Sequence, residues 1–200
     1  MKDFWDIRYA GPDYVYGTAP NAYLRAHHAL YRPGQRVLSV ADGEGRNGVW
    51  LASRGLDVTS VDYSEHALAK AQSLAQLQGV TIETVLADVC QWQWPQAVYD
   101  HVVAIYLHVP PEQRRRLHHG MIAALKPGGT LLLEAFNPEQ LDYDSGGPDD
   151  LDMLYSSVML REDFADAEIM ELAELVVELD EGPAHQGLGA VTRALIRRPE

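Results

Sequence analysis

The stretch that decides the fold is Val37-Leu38-Ser39-Val40-Ala41-Asp42-Gly43-Glu44-Gly45-Arg46-Asn47, followed by Gly48. It begins as a short β-prone run and continues as a glycine turn, and residues 49–52 then suit the start of a helix. A strand, a glycine turn and a helix in this order form a unit in which the backbone can approach a ligand closely. The glycine spacing alone is a weak signal, so its meaning depends on the neighbouring segments.

The next predicted strand ends on an acidic residue. Residues 57–62 read Asp-Val-Thr-Ser-Val-Asp, and Asp62 follows Gly43 by 19 positions. A carboxylate at the end of this strand can accept hydrogen bonds from both hydroxyls of a ribose. The glycine turn and Asp62 together predict a ligand that contains a nucleoside.

Strand-like and helix-like runs alternate from residue 36 onward. This alternation predicts an α/β fold in which helices pack on a mostly parallel sheet. Further strands are expected at 81–86, 99–105, 130–136 and 190–196, and helices at 64–79 and 110–125. Residues 168–179 mix helical and strand cues.

Length and composition favour one ordinary domain over residues 1–200. The chain is 46% apolar and 22% charged, as globular proteins are. It lacks an apolar run long enough to span a membrane, and its first residues do not resemble a signal peptide. The single cysteine, Cys90, agrees with a reducing compartment. We therefore expect a cytoplasmic protein that does not bind membranes.

The net charge of −13 is concentrated in one segment. Residues 131–183 carry 16 acidic side chains and one basic side chain, Arg161. This balance opposes binding to nucleic acid, where neutralisation of phosphates by Lys and Arg dominates affinity. We expect a small-molecule partner, no nucleic acid, and a monomer or weak dimer.

Two classes of nucleoside ligand fit the glycine turn. A dinucleotide would place a pyrophosphate at the helix N-terminus, whereas S-adenosylmethionine has no phosphate and carries a sulfonium. Asp42 and Glu44 flank the glycines. Carboxylates disfavour a pyrophosphate and tolerate a sulfonium, so the charges favour S-adenosylmethionine and leave a nicotinamide cofactor as the alternative.

Four motifs resemble those of class I S-adenosylmethionine-dependent methyltransferases in order and spacing. They are residues 37–47, Val61-Asp62, Ala87-Asp88 and Leu125-Lys126-Pro127-Gly128-Gly129, and the similarity covers residues 20 to 198. The motif Trp5-Asp6-x-Arg8-Tyr9 and residues 16–21 are similar to the branch that contains tellurite-resistance and thiopurine methyltransferases. The family often has an acid at Ser39 and glycine at Ala41, so Asp42 is expected to replace the missing carboxylate.

The resemblance implies a fold and a set of cofactor residues. The fold is a three-layer sandwich, Rossmann-like, with a seven-stranded, mostly parallel sheet and an antiparallel last strand. Asp62 would hold the ribose, and Asp88 with Val89 would flank adenine. The full predicted set for S-adenosylmethionine is Asp42, Gly43, Gly45, Asn47, Asp62, Tyr63, Asp88, Val89 and Tyr106.

Methyl transfer is an in-line displacement, so the protein mainly aligns the acceptor and excludes water. A general base is needed only if the acceptor must lose a proton, and histidine suits that task near neutral pH. His108 follows the predicted fourth strand and His185 precedes the last one, so both are candidate catalytic residues. We find no zinc or calcium motif and expect no metal.

Two segments are expected to close over the site: an aromatic N-terminal arm, residues 1–21, and an active-site loop, residues 137–152. The leading hypothesis is an S-adenosylmethionine-dependent methyltransferase that acts on a small molecule. The alternatives are a nicotinamide-dependent oxidoreductase and a non-catalytic S-adenosylmethionine-binding protein.

Overall fold

A seven-stranded sheet forms the centre of the computed structural model, which describes residues 2–200 and side chains from residue 4 onward. The strands are β1 (Arg36–Val40), β2 (Asp57–Asp62), β3 (Glu83–Leu86), β4 (Tyr99–Ile105), β5 (Leu125–Phe136), β6 (Glu168–Asp180) and β7 (Gln186–Arg197). Their order is β3-β2-β1-β4-β5-β7-β6, and β7 runs antiparallel to both β5 and β6. The predicted mostly parallel sheet with an antiparallel last strand is confirmed.

Within residues 2–200, six α-helices connect and flank the strands. They are α1 (Lys2–Tyr9), α2 (Ala22–Ala26), α3 (Arg46–Ser53), α4 (Glu65–Leu77), α5 (Pro111–Ala124) and α6 (Ser157–Asp163). Local sequence explains several of their ends. The hydroxyl of Ser64 accepts a hydrogen bond from Ala67 and caps α4, and Pro111 occupies the first turn of α5.

Helices cover the two faces of the sheet and make three layers. Successive side chains of a strand point to opposite faces. Leu38 and Val40 of β1 therefore pack in one core cluster with α5 and α6, whereas Val37 packs in another with α2 and α3. No helix within residues 2–200 is long and apolar enough to cross a membrane.

The structure differs from the sequence-based boundaries in several places. The arm, which shows little periodicity, contains α1, and Met1 lies outside the described residues. Residues 168–179 resolve as strand β6, and α6 was not predicted. Strand β5 begins at Leu125, five residues early, because Leu125 pairs with Tyr99 ahead of a register shift in β4. Residues 126–129 of the Leu125–Gly129 motif are thus part of that strand.

Strand β1 lies between β2 and β4, so the chain order reverses at this point of the sheet. A crevice forms where neighbouring crossover helices pack on opposite faces, outside the carboxyl ends of the strands. The glycine turn after β1 lies at this edge.

A close contact between α5 and Trp94 provides a test of the packing. A Cβ on Gly120 would lie 2.6 Å from three indole atoms of Trp94. We expect Gly120→Ala to destabilise the protein by about 1–3 kcal/mol, since overpacking outweighs the gain in helix propensity. The control is Gly11→Ala, where a Cβ would meet nothing within 4 Å. Urea unfolding measures both, and equal stabilities of the two variants would contradict the packing.

Candidate active site

A cavity of about 930 Å³ opens at the carboxyl ends of β1 to β5. This volume is near the upper end of the range for small-molecule sites, so it has room for a cofactor and a small acceptor. Its walls come from the turns after four parallel strands, the N-terminal arm, the residue before β7 and the loop after β5.

The carboxylate of Asp62 fixes the glycine turn. One carboxylate oxygen accepts a hydrogen bond from the Gly43 N–H and the other accepts one from the Ser64 N–H, each at 2.9 Å. Burial raises the pKa of Asp62. Because each carboxylate oxygen can accept two hydrogen bonds, Asp62 keeps acceptor capacity toward the cavity that it lines.

Gly43 allows a close approach at the same place. Its φ is 57°, in the left-handed region that favours glycine, and a Cβ there would lie 3.0 Å from the Tyr9 hydroxyl. The arm therefore lies directly above the turn, and Tyr9 lines the cavity with Gly43.

Asp42 has an internal role that the sequence did not indicate. Its carboxylate accepts hydrogen bonds from Ser39 at 2.6 Å, Ser60 at 2.8 Å and the Gly48 N–H at 3.2 Å. Burial raises its pKa to about 6, although these hydrogen bonds act in the opposite direction. Asp42 thus ties the turn to β1, β2 and α3, and it also lines the cavity.

The carboxylate of Glu44 also has partners within the protein. It accepts a hydrogen bond from the Val15 N–H at 2.8 Å and forms an ion pair with Lys70 at 2.7 Å. Because Asp42 and Glu44 both have internal partners, their charges do not distinguish between a sulfonium and a pyrophosphate. These two carboxylates therefore favour neither class of cofactor.

Gly45 and Asn47 serve the scaffold. Gly45 caps α3 with a φ of 86°, and a Cβ on it would lie 2.6 Å from the Cβ of Ala71 on α4. It is not among the described residues that line the cavity. Asn47 lines the cavity, and its side-chain oxygen accepts a hydrogen bond from the Asn21 N–H at 2.9 Å.

The other predicted cofactor residues surround one end of the cavity. Tyr63, Asp88 and Val89 all line it. The Asp88 carboxylate accepts one hydrogen bond on each oxygen, from the Cys90 N–H and the Gln91 amide. As with Asp62, this leaves acceptor capacity for a ligand.

Four aromatic side chains, Tyr16, Tyr106, Phe136 and His185, form a ring wall at another part of the cavity. His185 lies 4.5 Å from Tyr16 and 4.6 Å from Tyr106 between ring centroids, and Tyr106 stacks on Phe136 at 4.7 Å. Tyr106 has a left-handed φ of 54° at the end of β4, and its hydroxyl donates to Glu134 at 2.8 Å. Phe136 and Tyr16 were not predicted as site residues individually.

Both ring nitrogens of His108 bind the backbone. Nδ1 donates to the Met153 carbonyl at 2.7 Å, and Nε2 accepts a hydrogen bond from the Phe136 N–H at 3.2 Å. Burial lowers the pKa of His108 to about 4. This geometry opposes the predicted role as general base, because no lone pair of the ring is directed to a substrate.

His185 is held in the tight turn between β6 and β7 and is 5% exposed. Its Nδ1 is buried and finds no hydrogen-bond partner among the described residues. Burial lowers its pKa to about 3, and the charges of Arg46 and Arg8 add to this effect. The ring is therefore neutral at pH 7 and lines the cavity with unused hydrogen-bonding capacity.

A buried polar network joins the arm to the sheet beneath the ring wall. The Asn21 amide donates to Glu134 at 2.7 Å and to Glu181 at 2.8 Å. Arg193 pairs with Glu134, and Arg46 pairs with Glu181 at 2.6 Å. No sequence pattern indicated this network, because its members are far apart in the chain and have no common motif.

The two predicted covering segments both contribute to the cavity. Residues 4–17 of the arm supply five aromatic or charged lining residues, Phe4, Trp5, Arg8, Tyr9 and Tyr16. The loop supplies residues 146–149. Among the residues that the structure describes, no group of His, Cys, Asp and Glu is arranged to hold a metal ion.

Sequence comparison identifies the class of protein. Residues 37–129 match the family model described as a methyltransferase domain. This match spans just under half of the chain, and together with the relatives below it confirms the resemblance to S-adenosylmethionine-dependent methyltransferases that the motifs indicated.

Three curated relatives show which kinds of methyltransferase the chain is similar to. The chain is 36% identical over 110 residues to ribosomal RNA small subunit methyltransferase C of Chromohalobacter salexigens, covering 51% of the chain and 32% of the relative. It is 32% identical over 114 residues to glycine/sarcosine N-methyltransferase of Halorhodospira halochloris, covering 53% of the chain and 41% of the relative. It is 26% identical over 147 residues to the probable S-adenosyl-L-methionine-dependent methyltransferase TehB of Haemophilus influenzae, covering 72% of the chain and 50% of the relative. The matches thus span half or less of each relative.

Solved structures share the fold. TehB from Haemophilus influenzae superposes with a TM-score of 0.72 at 23% identity, covering 98% of this chain and 66% of TehB. The N-methyltransferase NodS from Bradyrhizobium japonicum, solved with S-adenosyl-L-homocysteine, gives a TM-score of 0.73 at 16% identity, with 100% and 98% covered. TehB appears in both comparisons, in agreement with the predicted branch.

The buried His108 predicts a pH dependence of stability. Its folded pKa of about 4 lies below the unfolded value of 6.5, so the unfolded chain binds more protons between these values. Stability should fall as the pH drops from 6.5 to 4. In His108→Gln the slope of the unfolding free energy against pH should be smaller by up to about 1.4 kcal/mol per pH unit. Urea unfolding at several pH values measures it. An unchanged slope in His108→Gln would contradict the neutral, buried ring.

Proposed function

We propose that this protein binds S-adenosylmethionine and transfers its methyl group to a small-molecule acceptor. The observation that carries the proposal is the cavity wall formed by the Gly43 turn and Asp62, inside the segment that matches a methyltransferase domain. Because residues 37–129 match a methyltransferase domain, we no longer expect a nicotinamide-dependent oxidoreductase. A non-catalytic binding protein remains the alternative that the activity experiment below addresses.

The residues present fit this cofactor. Asp62 has free acceptor capacity for the two ribose hydroxyls, and Asp88 with Val89 offers a carboxylate beside an apolar surface for adenine. The bound cofactor would supply a methyl group already activated by the sulfonium. Gly43, Tyr63, Asn47 and Tyr106 complete the proposed contacts. Asp42 also lines the cavity while its hydrogen bonds hold the turn, and Gly45 supports the turn from outside the cavity lining.

The chain itself aligns the acceptor and excludes water. The arm and the loop after β5 cover the cavity, and alignment of the reacting groups can contribute roughly 7–11 kcal/mol to lowering the barrier. His185 offers a neutral imidazole at the ring wall and contacts the acceptor. His108 is a positioning residue, because it links the Met153 carbonyl to the Phe136 N–H and so holds the loop beside the ring wall.

The charge distribution supports a small acceptor over RNA. Although one relative is named as a ribosomal RNA methyltransferase, this chain carries a net charge of −13, which opposes contact with phosphates. The single cysteine supports a cytoplasmic location. The continuous sheet of the described residues supports a single methyltransferase domain.

The role of Asp62 predicts a loss of cofactor affinity. Asp62→Ala should weaken the binding of S-adenosylhomocysteine by about 1.5–3 kcal/mol, because hydrogen bonds to a charged group are lost. Calorimetric titration measures this, and a melting curve shows whether the turn, which Asp62 also holds, stays folded. Asp57→Ala, at the exposed start of the same strand, is the control. Equal affinity in a folded Asp62→Ala protein would refute the ribose site.

Replacing His185 should separate acceptor contact from cofactor binding. We expect His185→Ala to lower the turnover number while S-adenosylhomocysteine affinity changes by less than about twofold. The exposed His66→Ala serves as the control. Wild-type turnover of His185→Ala would exclude a contact with the acceptor.

The acceptor class can be tested with radiolabelled cofactor. S-adenosyl[methyl-³H]methionine is incubated with the protein and, separately, with a small-metabolite extract or with ribosomal RNA. Label should enter the small-metabolite fraction and depend on an intact Asp62. Transfer into RNA alone would contradict the proposed acceptor class, and no transfer in either arm despite cofactor binding would favour the non-catalytic alternative.

A further inference from the structure

The backbone at Gly146 and Gly147 lies against the ring wall at a distance that a side chain would prevent. A Cβ on Gly147 would lie 2.8 Å from Cδ2 of Phe136, and one on Gly146 would lie 2.7 Å from Cδ2 of His185. Both residues have left-handed φ angles, 109° for Gly146 and 93° for Gly147. Glycine is therefore required here twice, for the backbone conformation and for the contact with the two rings.

Gln140 holds this segment in place. Its side-chain amide donates to the Ser145 hydroxyl at 3.0 Å and to the Gly146 carbonyl at 2.9 Å. Its oxygen accepts a hydrogen bond from the Ala190 N–H of β7 at 2.7 Å. Gln140 is 2% exposed. The glycine pair is thus anchored to the sheet through a buried side chain.

The glycine pair belongs to the part of the cavity that the proposed cofactor contacts leave free. Gly146 and Gly147 line the cavity next to Phe136 and His185, whereas the ribose and adenine contacts are assigned to the ends of β2 and β3. An acceptor that reaches the reacting methyl group must therefore fit beside bare backbone and the ring wall. A substituent near its reacting atom would displace one of them.

We propose that the Gly146–Gly147 backbone determines acceptor specificity by limiting the width of the acceptor site, so that it excludes bulky groups beside the reacting atom. This inference rests on the proposed function. It extends that function by assigning control of the width of the acceptor site to two residues that have no side chain.

The test uses two nitrogen analogues of S-adenosylmethionine, in which an amine nitrogen replaces the sulfonium and carries either a methyl or a benzyl group. The benzyl group extends from the reacting position into the acceptor site, so no acceptor needs to be known. In the wild type, calorimetry should show weaker binding of the benzyl analogue. In Gly147→Ala, the methyl side chain lifts the segment from Phe136, and this difference should shrink by about tenfold, the low end of what one apolar contact contributes to discrimination.

Gly187→Ala is the matched control. Gly187 has a φ of 92°, almost that of Gly147, but a Cβ there would meet nothing within 4 Å. It therefore introduces the same backbone strain without displacing a ring, and it should keep the wild-type difference between the analogues. Hydrogen–deuterium exchange of amides 144–149 should increase in Gly147→Ala and stay unchanged in Gly187→Ala.

Different failures identify different errors. If exchange at 144–149 increases in Gly147→Ala while the two analogues keep their wild-type difference, the glycine pair does not set the width. Equal affinity of both analogues for the wild type overturns the inference as well. If neither analogue binds the wild type, the proposed function fails instead. Should Gly147→Ala not fold, Gln140→Ala releases the same segment and should reduce the difference in the same direction.

Discussion

The structure of the site depends on the carboxylate of Asp62. By accepting hydrogen bonds from Gly43 and Ser64, it joins the turn after β1 to the cap of α4 and keeps acceptor capacity for the cavity. Buried carboxylates are unfavourable unless hydrogen-bonded, so the position of this group is strongly fixed. The arm helix then lies over the same turn, with Tyr9 against Gly43.

A second constraint comes from the buried charges around Asn21. Glu134 and Glu181 share its amide group, and each also pairs with an arginine. Removing one partner from such a pair commonly costs about 3–5 kcal/mol, because a charge remains buried without compensation. The end of the arm, the turn that bears Arg46, strand β5 and the β6–β7 turn are consequently held in one arrangement beneath the ring wall.

Much of the architecture was predictable, because strands β1, β2 and β4 have clear β-prone runs between turn residues, and their ordered motifs indicated the fold. The sequence also indicated Asp62, Asp88, the arm and the loop at 137–152, all of which contribute residues to the cavity lining. It could not show that Asp42 and Glu44 have internal partners, or that both nitrogens of His108 bind the backbone. These properties depend on contacts between distant segments, which local pattern and spacing do not encode. The glycine pair at 146–147 was visible as a turn, but its contact with two rings required the tertiary structure.

The central claim is that a nucleoside binds between the glycine turn and the end of β2. The most direct measurement is a crystal structure of the protein with S-adenosylhomocysteine. We expect ribose density within hydrogen-bond distance of the Asp62 carboxylate and adenine density beside Val89. Ligand density elsewhere, or an ordered protein side chain filling the space above Gly43 while the ligand is bound, would contradict it.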